Sequence, residues 1–180
     1  MSPIEIIEFW FSARVRPRWF SSTPRFDEEI TERFGGLWER AARGELDGWQ
    51  DTPEGALALV VILDQLPLNM FRGDARSFST EAAAIAVTKA ALVRGLDRRL
   101  PPDQRAFLYM PLMHSEVLAD QELAVELYDA PGLESNLAFA RHHREIVRRF
   151  GRFPHRNAPL DRPSTPEERR YLASEEAFKG

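Results

Sequence analysis

The sequence lacks cysteine altogether, has lysine only at Lys89 and Lys179, and contains no long apolar run. The absence of cysteine excludes disulfides, thiolate metal sites and cysteine nucleophiles, and it fits a reducing compartment. The longest unbroken apolar run, Ala56 to Leu63, is far shorter than the ~20 residues that a membrane-spanning helix needs. Residues 1–11 have no basic start and do not resemble a signal peptide. We therefore expect a cytoplasmic protein.

The charge balance is also modest. A net charge of -4 over 180 residues gives no general attraction to nucleic acid or to an anionic membrane, so neither is expected as a partner. The length suits one domain, and we expect a single helical domain over residues 1–180. The glycine-rich loops that bind nucleotides are absent, and no cofactor is expected. The oligomeric state is left open.

Helix-start signals recur along the chain, and no segment alternates polar and apolar residues over the length of a strand. Capping boxes occur at Ser2-Pro3-Ile4-Glu5 and Thr165-Pro166-Glu167-Glu168. These patterns predict an all-α fold of antiparallel helix pairs. The predicted helices run from Pro3 to about Phe11, Thr23 to Gly44, Gly55 to Leu66, Thr80 to Gly95, Pro101 to Pro111, Glu116 to Asp129, Gly132 to Phe150 and Thr165 to Phe178.

Three short stretches, residues 64–73, 109–116 and 150–157, place unusual polar residues at the ends of apolar helices. Each stretch joins a proline to large apolar side chains and to ionisable or hydrogen-bonding groups. Because Pro67 and Pro111 should end or kink their helices, the nearby polar atoms are expected close to the core rather than on a solvated loop. We expect the three stretches to converge on one concave pocket.

The residue sequences of these stretches resemble those of a known family. Phe9-Trp10-Phe11, Asp64-Gln65-Leu66-Pro67, Tyr109-Met110-Pro111-Leu112 and Phe150 to Asn157 are similar to a bacterial family catalogued as domain of unknown function number nine hundred and twenty-four. The resemblance implies a tetratricopeptide-like right-handed superhelix with degenerate repeats, and it supplies no activity, substrate or cofactor. The chain departs from the family pattern at Leu68, where a basic residue is usual, and at Met113, where an acidic one is usual.

The polar stretches supply two sets of candidate residues. Imidazole and carboxylate groups suit acid–base chemistry, and guanidinium and amide groups suit recognition of a carboxylate or phosphate. The catalytic candidates are His114, Glu116, His155 and Asp64. The ligand-binding candidates are Arg152, Arg156, Asn157, His155, Gln65, Asn69 and Arg72. These side chains include metal-ligand types, but no recognised ligand spacing is present, so no metal is expected.

Three functions are consistent with these residues. The leading hypothesis is a protein that binds a small anionic molecule or the acidic end of a peptide. A second is a small hydrolase or lyase with His114 or His155 as general base, oriented by Glu116 or Asp64. A third is an interaction scaffold that exposes Trp19, Phe20 and Trp49, in which the polar groups only satisfy backbone carbonyls freed by proline. On its apolar stripe, His143 fits a hydrogen-bonded core histidine.

Overall fold

The computed structural model describes residues 1–178, and within that range the chain consists of α-helices joined by short 3₁₀ and π turns, without β-strands. The all-α prediction is therefore confirmed. Residues 179 and 180, the end of the predicted domain, lie outside the described range. The α-helices are α1 (Pro3–Trp10), α2 (Pro24–Ala42), α3 (Pro53–Val60), α4 (Leu66–Met70), α5 (Glu81–Val93), α6 (Pro102–His114), α7 (Leu118–Tyr128), α8 (Glu134–Phe150) and α9 (Pro166–Leu172).

The helix starts follow the capping signals of the sequence. Both predicted capping boxes form, with Ser2 and Glu5 at α1 and with Thr165 and Glu168 at α9. In each box the hydroxyl accepts a backbone N–H and the glutamate accepts one in return, so two N–H groups without a helical partner are satisfied. Local sequence therefore sets these helix starts before any tertiary contact is made.

The centre of the fold is one apolar helical rod. It comprises α3, a π turn (Val61–Gln65) and α4, and it runs continuously from Pro53 to Met70. Residues 56–63 are each at most 3% exposed. Helices α1, α5 and α6 pack against α3, and α2 packs against the π turn and α4. A helix that is surrounded in this way must be apolar on all sides, which accounts for the unbroken run in the sequence.

The packing does not confirm the tetratricopeptide-like superhelix. In such arrays each repeat contacts only its neighbours along the chain. Here α3 contacts α1, α5 and α6, so elements far apart in the sequence share one core. Helices α6, α7 and α8 pack one after another, and the end of α8 forms a second apolar cluster with Phe153 and Tyr171.

The prediction that Pro67 ends its helix is wrong, because the helical path continues to Met70. The π turn directly before the proline bonds the Leu66 N–H to the Val61 carbonyl five residues back. Pro67 has no N–H to offer the Leu63 carbonyl, and the Thr80 hydroxyl donates to that carbonyl instead, at 2.6 Å.

Pro111 likewise stays inside α6 and does not end it. In the turn before the proline, hydroxyl groups from neighbouring helices bond the carbonyls of α6. The Tyr128 hydroxyl donates to the Ala106 carbonyl at 2.7 Å, and the Thr88 hydroxyl donates to the Leu108 carbonyl at 2.9 Å. The helix therefore extends to His114, where irregular backbone had been expected.

Replacing Thr80 with valine should lower the free energy of unfolding by about 1–3 kcal/mol, because the buried Leu63 carbonyl would lose its donor and the Trp38 indole N–H would lose its acceptor. Valine keeps the shape of threonine, so packing changes little. Thr31→Val is the matched control: Thr31 donates to the Asp27 carbonyl on an exposed helix face, where water can replace the lost bond. Urea unfolding of both variants measures the difference, and equal losses would contradict this account of the proline.

The aromatic residues of the scaffold hypothesis are only partly on the surface. Phe20 is 77% exposed, whereas Trp19 and Trp49 are half-buried against the core. The Trp19 indole N–H donates to the Trp10 carbonyl at 2.9 Å, so this ring is held in place. In residues 1–178, none of the helices combines the length and the apolar character required to cross a bilayer.

Candidate functional site

Four elements, one of which is the π turn, meet and bring together residues that are distant in the sequence. The π turn contributes Asp64, the first turn of α5 contributes Glu81, the last residue of α6 is His114, and the 3₁₀ turn Pro154–Arg156 contributes Arg156. Hydrogen bonds link these four residues: Asp64 bonds the His114 ring, and Arg156 bonds both the Glu81 side chain and the His114 backbone carbonyl. We call this group the Asp64–His114 cluster. It unites one predicted residue from each of the three polar stretches.

The Asp64–His114 pair has the geometry of an oriented imidazole. Asp64 is 5% exposed, and both of its carboxylate oxygens lie 3.0 Å from Nδ1 of His114. The Gln65 amide donates a further bond to the same carboxylate. An ionised carboxylate can only accept, so Nδ1 of the neutral imidazole carries the proton and Nε2 carries the free lone pair.

The Nε2 atom of His114 differs from Nδ1 in its surroundings. No hydrogen-bond partner for it exists within residues 1–178, and it is not among the atoms that are sealed from solvent. The His114 side chain is 19% exposed, against 3% for that of Asp64. The carboxylate is thus more deeply buried than the ring, and Nε2 of the ring is not sealed from solvent.

Arg156 connects the other two members of the cluster. Its Nη1 donates to Glu81 at 2.6 Å, and its Nη2 donates to the His114 carbonyl at 2.7 Å. The guanidinium carbon lies 4.5 Å from the centre of the Phe78 ring and 4.8 Å from that of Phe153. Arg156 is only 6% exposed. The guanidinium is therefore held by two aromatic rings and by hydrogen bonds from both terminal nitrogens.

Glu81 titrates unusually for a carboxyl that is paired with arginine. Burial raises the pKa of Glu81, and the charge and hydrogen bond of Arg156 only partly offset this effect. Its side chain is 20% exposed. A carboxyl with a raised pKa beside an imidazole is the pairing that acid–base sites use. Sequence reasoning missed Glu81, because an acidic residue in the first turn of a helix is common and gives no local signal.

Glu116, another catalytic candidate, bonds Arg162 and Phe153 and not His114. Its carboxylate accepts two bonds from Arg162, at 2.6 and 2.9 Å, and one from the Phe153 N–H at 2.8 Å. Burial acts to raise the pKa of Glu116, but these hydrogen bonds outweigh it and lower that pKa. Glu116 therefore ties the chain after α6 to the chain after α8.

His155 and His143 belong to an aromatic cluster with Phe153 and Phe178. The His155 ring lies 5.5 Å from Phe153 and 5.0 Å from Phe178, measured between ring centres. Burial lowers the pKa of His155 to about 4 and that of His143 to about 3. Nδ1 of His143 donates to the Phe139 carbonyl at 2.8 Å. Both rings are neutral near pH 7.

Arg152 and Asn157 connect the segment after α8 to the residues around the start of α9. Arg152 donates two bonds to Glu168, at 2.7 and 2.9 Å, and a third to the Pro163 carbonyl. These bonds lower the pKa of Glu168 to about 2. Asn157 is 1% exposed and bonds Ser164 and Arg162. The guanidinium groups proposed as anion donors are thus already paired with carboxylates of the same chain.

Asn69 and Arg72 lie apart from the Asp64–His114 cluster. Asn69 donates to Asp27 at 2.7 Å, and Arg72 donates to the same carboxylate at 2.9 Å. Both residues line an open depression of about 560 Å³ beside α2. A second depression, of about 330 Å³, lies between α8 and α9. Neither depression is lined by Asp64, His114 or Arg156, so the concave pocket stays a prediction.

No group of three metal-binding side chains converges within residues 1–178. The cluster instead has the composition of a proton-transfer site: a buried carboxylate, an accessible imidazole, and a carboxyl of raised pKa. A π turn in an otherwise regular helix is a further feature that accompanies functional sites.

The chain is similar to proteins without an assigned activity. The family model for bacterial proteins of unknown function (DUF924) matches residues 6–176. The solved structure of a protein of unknown function from Agrobacterium tumefaciens superimposes with a TM-score of 0.88 at 41% sequence identity, covering 94% of this chain and 96% of that one. No curated protein matches the chain. Since the family match spans nearly the whole sequence, the chain belongs to the bacterial DUF924 family.

Proposed function

We propose that the protein hydrolyses a small uncharged carbonyl compound at the Asp64–His114 cluster. His114 acts as the general base, Asp64 orients it, and Glu81 supplies the proton to the leaving group. One observation carries the proposal: Nδ1 of His114 is fixed by a carboxylate that is 5% exposed, while Nε2 is free and accessible.

The base is arranged as catalysis requires. A carboxylate behind the imidazole selects the tautomer with the lone pair on Nε2, and it stabilises the imidazolium that forms when Nε2 takes a proton. The π turn displaces Asp64 relative to a regular helix, and the hydrogen bond from Gln65 fixes the carboxylate further. Such positioned bases accelerate reactions by about 10²–10⁴-fold.

Water is the nucleophile in this scheme. Ser115 follows His114 in the sequence but is 1% exposed, and its hydroxyl donates to Asp120 at 2.8 Å. That hydroxyl also accepts the Val117 N–H, so it closes the turn before α7. A water molecule in contact with Nε2 of His114 can approach a substrate from solvent, which the buried serine cannot do.

The proton balance closes within the cluster. His114 takes a proton from water, the resulting hydroxide adds to the carbonyl carbon, and protonated Glu81 gives its proton to the departing oxygen. The imidazolium then returns its proton to Glu81 through solvent. The raised pKa of Glu81 favours the protonated form that this step needs.

The charges of the cluster favour an uncharged substrate. Asp64 contributes a carboxylate, and both terminal nitrogens of Arg156 are already bonded, to Glu81 and to the His114 carbonyl. The anionic-ligand hypothesis would require a ligand to displace Glu81 from Arg156, or Glu168 from Arg152. Breaking a buried pair of this kind is unfavourable, so hydrolysis is the better supported function.

We expect the protein to hydrolyse p-nitrophenyl acetate faster than buffer does. His114→Ala should lower that rate by about 10²–10⁴-fold. His142→Ala is the matched control, because His142 is an exposed histidine of the same chain. Unchanged hydrolysis in His114→Ala, or none in the natural protein, would rule the proposal out.

A substrate-independent measurement tests the same site. Nitrogen-15 NMR of the histidine rings should show the neutral His114 as the Nδ1–H tautomer, and Asp64→Asn should abolish that preference because an amide can also donate. An Nε2–H tautomer in the natural protein would contradict the assigned base.

A further inference from the structure

We infer that Arg156 is a positioning residue, which holds the proton donor Glu81 and the end of the helix that carries His114 in a fixed relation. This inference rests on the hydrolytic function proposed above. Sequence patterns had indicated Arg156 as a ligand donor, but the geometry assigns its hydrogen-bonding groups to other members of the cluster.

The first step of the argument is the double contact. His114 is the last residue of α6, and its carbonyl therefore lacks an N–H donor from a following helical turn. Arg156 Nη2 donates to that carbonyl at 2.7 Å, and Nη1 donates to Glu81 at 2.6 Å. Both nitrogens belong to one rigid planar group. The backbone of the base and the side chain of the acid are thus fixed by the same guanidinium.

The second step is the rigidity of the guanidinium itself. The Phe78 and Phe153 rings lie 4.5 and 4.8 Å from it, and Arg156 is 6% exposed. These contacts prevent the guanidinium from turning toward solvent to bind a ligand. The group is immobile before any substrate arrives, which is the condition for positioning.

The third step is an unpaired donor. Nε of Arg156 is sealed from solvent and has no acceptor within residues 1–178. A buried N–H without an acceptor is unfavourable, and a lysine at this position would have no such N–H group. Lysine would present a single ammonium, which cannot reproduce the fixed fork that spans Glu81 and the His114 carbonyl. Spanning those two acceptors is therefore the role that explains an arginine here.

The test compares two esters whose leaving groups differ in how strongly their departure depends on protonation by an acid. Phenyl acetate has a poor leaving group that needs protonation, whereas p-nitrophenyl acetate has a good one that does not. We expect Arg156→Lys and Glu81→Gln each to lower kcat for phenyl acetate by about 10–100-fold, with a change below about 3-fold for p-nitrophenyl acetate. The double variant should lose little more than either single one, because the two residues act as a unit.

Arg162→Lys is the matched control. It makes the same chemical change in a neighbouring bidentate pair, with Glu116, and Arg162 contacts neither Glu81 nor His114 in residues 1–178. We expect it to lower the melting temperature without changing the ratio of the two ester rates. A change in the ratio of the two ester rates therefore cannot be explained by a loss of stability alone.

The possible outcomes separate this inference from the proposed function. If His114→Ala leaves both ester rates unchanged, the hydrolytic function fails and the role of Arg156 fails with it. If His114→Ala is inactive but Arg156→Lys lowers the hydrolysis rates of both esters equally, only the positioning role is overturned. The same holds if Arg156→Lys changes neither rate. Should Arg156→Lys not fold, Glu81→Gln decides: a loss confined to phenyl acetate supports the inference, and an unchanged ratio overturns it.

Discussion

Replacing Phe153 with alanine should lower the free energy of unfolding by about 3–5 kcal/mol, the range for removing a fully buried phenylalanine ring. Phe153 is 0% exposed and packs between His143, His155 and Arg156. Its removal leaves a cavity where the second apolar cluster meets the turn that carries Arg156. Urea unfolding monitored by circular dichroism measures the change.

Phe139→Ala is the control for that experiment. Phe139 lies on α8 and is 59% exposed, so its removal should change the free energy of unfolding by no more than about 0.5 kcal/mol. The Phe153 variant should also hydrolyse phenyl acetate more slowly at temperatures where it remains folded, because Arg156 loses one of its two aromatic neighbours. A loss of stability below about 1.5 kcal/mol would show that Phe153 does not anchor this region.

The second large effect is acid destabilisation that begins above the range where carboxylates titrate. Burial lowers the pKa of His143 to about 3 and that of His155 to about 4, from an ordinary value of 6.5. As the pH falls below 6.5, the unfolded chain binds protons that the folded chain refuses. Stability is therefore complete above pH 6.5 and is lost progressively toward the folded pKa values.

We expect the free energy of unfolding to fall by about 3–4 kcal/mol between pH 7.5 and pH 5 from these two rings, since one pKa unit corresponds to about 1.4 kcal/mol. The raised pKa of Glu81 acts in the opposite direction, so the comparison between variants is the decisive measurement. His155→Gln should remove about half of the pH dependence, whereas His142→Gln, at an exposed position, should leave it unchanged. Equal slopes in all three proteins would exclude this cause.

The arginines show how far the sequence alone can mislead about function. Seven arginines between Arg141 and Arg162 predicted a positive patch for anions. In the fold, Arg152, Arg156 and Arg162 each bond a carboxyl group that lies 16, 75 and 46 residues away in the sequence, respectively. Only tertiary packing brings those partners together, so no local pattern could have revealed that these guanidinium groups already have partners.

The two prolines show the same limit for secondary structure. Pro67 and Pro111 each predict a break, because a proline removes one helical hydrogen bond. The helices continue through both prolines. At Pro67 the Thr80 hydroxyl donates to the carbonyl that the proline leaves without a helical donor, and the Thr88 and Tyr128 hydroxyls donate to carbonyls in the turn before Pro111. The continuation placed His114 at the end of a regular helix, where its ring meets Asp64.

The sequence by itself determined the helical class, most helix starts, the fully buried rod around Ala56 to Leu63 and the positions of the polar stretches. Capping and apolar periodicity are interactions between residues a few positions apart, so they can be recognised in one dimension. Only the tertiary structure decided which polar groups share a site. It joined Asp64 to His114, brought in Glu81 without any local signal, sent Glu116 and Arg72 elsewhere and used the charge of Arg156 internally. Burial and pairing between distant segments set those outcomes, because the environment of a charge depends on what packs against it and not on its neighbours in the chain.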